Sequence, residues 1–478
     1  MRRRAVDRFI GRDEELGRLT RLLRRVEDGG RSGRPGTAVL MRGRRRVGKS
    51  RLVEEFIERN HVPSLFFTAS AQTSPAADLD LFTEALTSCD LPGAADLGAQ
   101  SPRTWDAALR LLATVLPRDR PSVVVLDEMP YLIANDPGFE GTLQKLFDRE
   151  FSRLPVLLVC VGSDLAMMER LNDYDRPFHQ RGTEMVIPPL NPADVAAILR
   201  LPPADALDAH LVSGGLPMVL EEWPAGVTVR DHLADALLDP TSALIVSGER
   251  SLAAEFPVEA RAREVLGAIG SGERTHGTIT RATGGMNATS LGRALRLLID
   301  KRMVEAALPL STAPSRETRY HVTDPHLRFW LAFIGPHMSE IERGRGDLTV
   351  ERVRRSWTTW RGRAVEPVIR EALFRMREGG LPAETGAVGG YWTRTNDPEI
   401  DIVAADRGPV ARRLTAVGSI KWLENRPFDG RDLARLIVHR SRLPGADEDT
   451  PLYAVARAGV TVEGVTALGP DDLLTAWR

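Results

Sequence analysis

Eight consecutive residues, Gly43-Arg44-Arg45-Arg46-Val47-Gly48-Lys49-Ser50, have the types and spacing of a loop that wraps phosphate. Glycines at both ends let the backbone curl so that successive N–H groups converge on phosphate oxygens. A helix that starts where the loop ends adds the partial positive charge of its N-terminus. Lys49 is then placed to reach β- and γ-phosphates, and the Ser50 hydroxyl to bind Mg²⁺. The segment from Gly43 through Arg51 is the candidate nucleotide cradle, with ATP and Mg²⁺ as the expected ligands. Its chemistry requires a strand before it and a helix after it. The apolar run Thr37-Ala38-Val39-Leu40-Met41 and the stretch Leu52-Val53-Glu54-Glu55-Phe56-Ile57 supply both patterns.

A second group of residues completes such a site. Val123-Val124-Val125-Leu126 reads as a buried strand, and its C-terminal end carries Asp127 and Glu128. Asp127 is placed to hold Mg²⁺ through water beside Ser50, and Glu128 to polarise an attacking water. Downstream of a complete phosphate loop this pair reads as catalytic, although Asp-Glu at a strand end is commonplace alone. The next apolar run, Pro155–Val161, ends in Gly162-Ser163-Asp164. There Ser163 is either a γ-phosphate contact or a strand cap. Arg181, after the irregular stretch 176–180, is a candidate to act on the γ-phosphate within its own subunit or across an interface of a homo-oligomer. Lysine usage sharpens the reading of Lys49. Among 64 basic residues only Lys49, Lys145, Lys301 and Lys421 are lysines, so those present merit inspection for jobs that suit a compact ammonium.

These groups need elements to hold them. Strand-like runs at 64–68, 122–126, 155–161 and 184–187 alternate with helical stretches, which argues a parallel sheet covered on both faces. A chain of 478 residues exceeds one ordinary core. The expected layout is a P-loop α/β core over 1–190, a small helical lid over 191–250, a winged helix-turn-helix over 251–335, a connecting stretch over 336–356, and a C-terminal α/β domain over 357–478. The winged helix is expected from helices at 258–269 and 275–282, a glycine turn, a third helix capped by Asn287 or Thr289, and two short strands near 303–307 and 319–322. That third helix, with apolar Leu291, Leu295, Leu297 and Leu298, would offer Asn287, Thr289, Ser290 and Arg293 to duplex DNA. The alternative use of the same module is docking of a protein partner.

The C-terminal region reads helix 364–378, strands 389–395, 399–405 and 413–422, helix 429–443, strand 452–457 and helix 470–477. Glu366, Asp401 and Lys421 fall where a metal-dependent nuclease needs two carboxylates and a lysine. A further carboxylate would be expected two residues before the lysine, on the same strand face. Serine stands there, Ser419, which lacks the charge that Mg²⁺ favours. Cleavage is therefore expected to be weak or lost. Net charge of −1 excludes a global basic footprint, so any nucleic-acid contact must be local. Cys89 and Cys160 are too few and too separated for a disulfide framework. With no apolar run of membrane-spanning length, the expectation is a cytoplasmic protein with no membrane contact.

Several segments together resemble the archaeal-type ATPases, prokaryotic relatives of the signal-transduction P-loop ATPases within the wider AAA+ group. They are Phe9-Ile10-Gly11-Arg12-Asp13-Glu14-Glu15-Leu16, the loop 43–50, Leu126-Asp127-Glu128-Met129-Pro130-Tyr131-Leu132 and Gly162-Ser163. Gly214-Gly215-Leu216-Pro217 resembles the lid motif of that family, and 320–330 the end of its winged helix. Arg361-Gly362, Glu366, Glu399-Ile400-Asp401 and Lys421-Trp422 resemble its C-terminal module, of restriction-endonuclease-like PD-(D/E)XK fold. The resemblance implies ATP and Mg²⁺ binding, hydrolysis and a nuclease-like tail. Ser419 departs from the family pattern, which carries Glu there.

Overall fold

The computed structural model describes residues 9–29, 33–97, 100–174, 176–256, 261–272, 274–376 and 379–478. The chain forms two compact units, Met1–Pro189 and Leu190–Arg478.

In the first unit β1 (Thr37–Arg42), β2 (Ser64–Thr68), β3 (Ser122–Asp127), β4 (Val156–Gly162) and β5 (Gly182–Val186) form one sheet in the order β2-β3-β4-β1-β5. Every pairing is parallel. Parallel strands need crossovers, and the helices that make them cover both faces. Alternation in the strands sorts the core accordingly. Val39, Met41, Val123, Val125, Leu157 and Val159 pack with Leu16, Leu19, Leu52 and Phe56. Ala38, Leu40, Val124, Leu126, Leu158 and Cys160 point the other way, among Phe82, Trp105, Leu112 and Phe139. The strand order sets β4 between β1 and β3, so the ends carrying the phosphate loop, Ser163 and the Asp127-Glu128 pair are neighbours.

The second unit begins with helices from Pro192–Leu199 to Ala243–Glu255. Helices Arg261–Gly270, His276–Ala282 and Ala288–Asp300 follow, then β6 (Val304–Ala307) and β7 (Arg319–Val322), paired antiparallel. Expected positions 258–260 lie outside the described residues. Thr275 and Asn287 cap the second and third of these helices, each accepting a backbone N–H. The buried stripe of the third is Leu291, Ala294, Leu295 and Leu298; Leu297, expected in it, faces solvent. Its position falls on the flank of the 3.6-residue repeat.

The stretch expected to be a connection, 336–356, is instead largely helical. Gly344, at φ 77°, closes helix Met338–Glu342, and Gly346 opens a 19-residue helix to Ala364. The stripe of this helix, Thr349, Val353, Arg361 and Ala364, includes a hydroxyl and a guanidinium, so apolar periodicity did not mark it.

The last sheet holds β8 (Ala387–Trp392), β9 (Glu399–Ala405), β10 (Leu414–Lys421), β11 (Leu452–Ala456) and a short β12 (Thr466–Leu468), in the order β12-β11-β10-β9-β8. It is mixed: β8, β9 and β10 pair antiparallel, and β10, β11 and β12 parallel. Helices Glu366–Arg375 and Pro470–Thr475 pack on one face and Gly430–Ser441 on the other. Among the described residues no helix is long and apolar enough to cross a membrane.

Candidate functional site

The phosphate loop leaves β1 at Gly43. A Cβ there would lie 2.5 Å from the Ile187 carbonyl oxygen, so only glycine fits. Arg46 (φ 67°) and Gly48 (φ 87°) turn the chain through left-handed conformations, and Lys49 opens helix Lys49–Asn60. The N–H groups of the first helical turn are thus turned towards the loop's concave side. Lys49 is buried. Its Nζ donates to the carbonyl oxygens of Gly43 at 2.8 Å and Arg44 at 3.0 Å. Burial lowers its pKa, opposed by the charges of Glu128 and Asp127.

The acidic side of the site is tied to the loop by one bond. Ser50 Oγ donates to Asp127 Oδ2 at 2.7 Å, which sets hydroxyl and carboxylate as a pair at the mouth of the loop. Burial raises the Asp127 pKa, against the hydrogen bonds from Ser50 and from the Glu128 N–H. Glu128 follows in a left-handed conformation (φ 54°) and starts helix Met129–Asn135. Its Oε2 accepts from Ser163 Oγ at 2.8 Å. Ser163 is buried at the end of β4 and so fixes the direction of the Glu128 carboxylate. Strained backbone at a carboxylate held by its neighbour is an arrangement met at working sites.

The remaining loop residues differ in orientation. Arg45 donates to Tyr131 Oη at 2.6 Å, and Val47 is buried in the sheet's core. Arg51 lies on the exposed helix surface among Glu54, Glu55 and Glu58, so its charge is matched within its own helix. Arg181 is engaged elsewhere. Its guanidinium grips Asp148 with bonds of 2.9–3.1 Å and donates to the carbonyls of Pro177 and His179. Arg12, noted in the sequence only as part of the 9–16 stretch and not as a site residue, supports the loop. It is buried, in a left-handed conformation, and donates to the Val47 carbonyl at 2.9 Å and to Glu15 at 3.2 Å. Its signal was the Gly11-Arg12 pair just before a helix, where a left-handed turn is needed.

In the second unit, Asn287 serves as a helix cap through its bond from the Ser290 N–H at 2.9 Å, while Thr289 and Arg293 are exposed on one face. Glu366 accepts from Arg370 at 2.9 Å. Asp401 Oδ2 accepts from Ser419 Oγ at 3.0 Å and from the Ile420 N–H at 2.8 Å. Burial, with Glu366 nearby, pushes the Asp401 carboxyl up to about 6. Lys421 is not turned to this pair; its Nζ donates to Asp432 at 2.8 Å. Among the described residues no three His, Cys, Asp or Glu side chains converge as a metal-binding group. A buried ionic cluster lies further along the same module. Arg361, 1% exposed, pairs with Asp208 at 2.8 Å and Glu424 at 2.9 Å. Asp208 also pairs with Arg457 at 3.0 Å and accepts from Trp422 Nε1 at 2.9 Å.

Residues 330–431 match the family DUF234, archaeal and bacterial proteins of unknown function. The whole chain is similar to an uncharacterized protein of Methanocaldococcus jannaschii, 24% identical over 464 residues, which are 94% of this chain and 95% of that protein. Among solved structures it is similar to a Walker-type ATPase of Pyrococcus abyssi, 19% identical, covering 68% of this chain and 96% of that one with a TM-score of 0.48. It is also similar to the ORC2 protein of Aeropyrum pernix in its ADPNP–ADP complexes, 15% identical, covering 71% and 97% with a TM-score of 0.45. In this chain a parallel sheet with its loop at 43–50 precedes the segment that matches that family.

Proposed function

We propose that this chain binds ATP with Mg²⁺ at Gly43–Ser50, hydrolyses it, and uses nucleotide state to set the geometry of a DNA-facing winged helix and a nuclease-like module. The observation that carries the reading is the Ser50–Asp127 bond beside a buried Lys49. A carboxylate and a hydroxyl at the start of a helix suit a hard cation, and a desolvated ammonium suits a polyphosphate. Ser50 would hold Mg²⁺ directly and Asp127 through water. Held by these residues, the ion would supply positive charge to offset the negative charge of the triphosphate. Lys49 exchanges its two loop carbonyls for phosphate oxygens, and the loop N–H groups orient the chain of phosphates. Glu128, held by Ser163, accepts a proton from the attacking water. Arg181 would reach a γ-phosphate only after leaving Asp148, a release that nucleotide or a second subunit would have to drive.

Nucleotide binding followed by fluorescence of a labelled ATP analogue tests the first step. Lys49→Ala is expected to abolish it, and equal binding by wild type and this variant would remove the reading.

A second reading is favoured by the C-terminal geometry. Ser419 and Ile420 occupy Asp401, and Asp432 occupies Lys421. Both features support a module that has kept its fold, lost cleavage, and serves an ATP-driven switch that binds a protein partner. Duplex DNA affinity across a salt series separates the two, because a DNA binder weakens steeply as salt rises.

A further inference from the structure

Within the second unit a cleft of about 570 Å³ opens between the β6–β7 ladder, helix Glu366–Arg375 and β8–β9. Five arginines line it, and five carboxylates lie beside them. The acids are already matched: Glu399 with Arg319, Glu366 with Arg370, Glu305 with His321, Glu371 with Arg375, and Asp401 with the Ser419 hydroxyl and Ile420 N–H. Arg274, Arg328 and Arg363 are left over. Among the described residues none of the three enters an ion pair, and Arg328 donates only to the Arg363 carbonyl, at 3.2 Å. They come from three separate elements and line the same cleft.

We propose that Arg274, Arg328 and Arg363 form a binding site for a phosphoryl oxyanion carried on a nucleotide unit. The carboxylates nearby, Glu366 and Glu399, are paired with Arg370 and Arg319, and a phosphate's oxygens answer several planar forks at once. Burial, reinforced by Arg274, Arg363 and Arg370 and opposed by Glu366, holds Arg328 down to about 10; burial with Arg319 and Arg363, against Glu366 and Glu399, lowers Arg274. The cleft is within the size range of small-molecule sites and exceeds the need of one phosphate. Tyr320, Trp392, Leu310 and Phe374 on its walls offer apolar surface to a sugar and base. Trp392 already carries the Arg319 guanidinium over its ring at 4.5 Å, a stack onto which a base could extend. The same chemistry is presented by a nucleic-acid strand and by a free mononucleotide. The cleft is also lined by Glu366 and Asp401 of the nuclease-like module, so the inference rests on the DNA-facing reading and stands apart from the ATPase one.

The test uses the full chain carrying Lys49→Ala, which removes binding at the phosphate loop. Titration calorimetry is run with AMP, with pyrophosphate, and with a single-stranded tetradeoxynucleotide with and without a 5′-phosphate. The expected result is that at least one probe binds, and that adding Arg274→Gln and Arg363→Gln weakens it at least tenfold. For the tetranucleotide, loss of two contacts should also flatten the slope of log K against log salt by about 1.4. Binding of the tetranucleotide regardless of its 5′-phosphate identifies a diester and hence a strand. Binding of AMP, pyrophosphate and only the 5′-phosphorylated strand identifies a terminal phosphate. Arg363→Gln alone, at an exposed position, keeps the test decisive should the double change impair folding. Exposed Arg354→Gln is the control, expected to leave binding unchanged. The inference is overturned if no probe binds at low salt, or if binding persists undiminished in the arginine variants.

Discussion

Replacing Asp208 by alanine should be among the most damaging single changes in the second unit. Its carboxylate, buried, is shared by Arg361, Arg457 and the Trp422 indole N–H. Burial pushes its pKa up while the two guanidiniums pull it down, so the charge is retained only because those partners are in place. Removing one partner of a buried ion pair costs roughly 3–5 kcal/mol, because the other charge stays desolvated. Here Arg457 keeps Asp205 at 2.7 Å and Arg361 keeps Glu424, which moves the expectation to the lower end, about 3 kcal/mol. The orphaned indole N–H adds about 1 kcal/mol. Replacing both Asp208 and Arg361 by apolar residues, Asp208→Leu with Arg361→Met, should recover part of the loss, since the Arg361 charge is then gone while Arg457 keeps Asp205. Guanidinium unfolding measures both, as a shift in midpoint at constant slope. A cost below about 1 kcal/mol for Asp208→Ala, or strictly additive effects in the double variant, would refute the argument that the cluster is a coupled buried unit.

Four further outcomes are expected. Glu128→Gln should keep ATP binding and lose turnover by roughly 10²–10⁴-fold, measured by phosphate release; undiminished turnover would place the base elsewhere. Ser163→Ala, which frees the Glu128 carboxylate, should cut turnover by about tenfold with little change in nucleotide affinity. Asp401 gives a pH signature. With its folded pKa at about 6, above the ordinary carboxylate value, the folded chain binds the extra proton, so its contribution favours folding below pH 4 and is lost as pH rises to about 6. Asp401→Asn should flatten that slope, worth at most about 3 kcal/mol, in denaturation midpoints between pH 4 and 7. Finally, wild type should leave linear and supercoiled DNA intact in Mg²⁺ or Mn²⁺, whereas cleavage gained by Ser419→Glu would identify that position as the lesion.

The sequence made the first unit legible because its signals are local. A strand, a glycine-framed loop and a helix are contiguous, and Val123–Glu128 announces a buried strand with charge at its tip. Distance in sequence hid the rest. Lys421 has the expected residue type and strand, yet its partner is Asp432 on the following helix, which no spacing along β10 could show. The helix Gly346–Ala364 was concealed by a stripe that mixes Thr349 and Arg361 with Val353, and by glycines that serve as its boundary rather than its interruption. Arg274 and Arg363 belong to no motif, and the 320–330 motif that holds Arg328 says nothing of the other two; only the folded cleft gathers them.

The parked side chain of Lys49 has a consequence for labelling chemistry. With four primary side-chain amines in the chain, acylating reagents have few targets; Lys145 pairs with Asp106 and Lys301 sits over the Phe256 ring. Burial leaves the Lys49 amine easier to deprotonate than an ordinary lysine, hence the more nucleophilic once a reagent gains entry. Its carbonyl partners hold it inside the loop, so acylation there must wait for the loop to open. The extent of modification at this one residue, read by mass spectrometry against Lys145, is therefore an internal clock for loop opening, and a bound triphosphate should stop it.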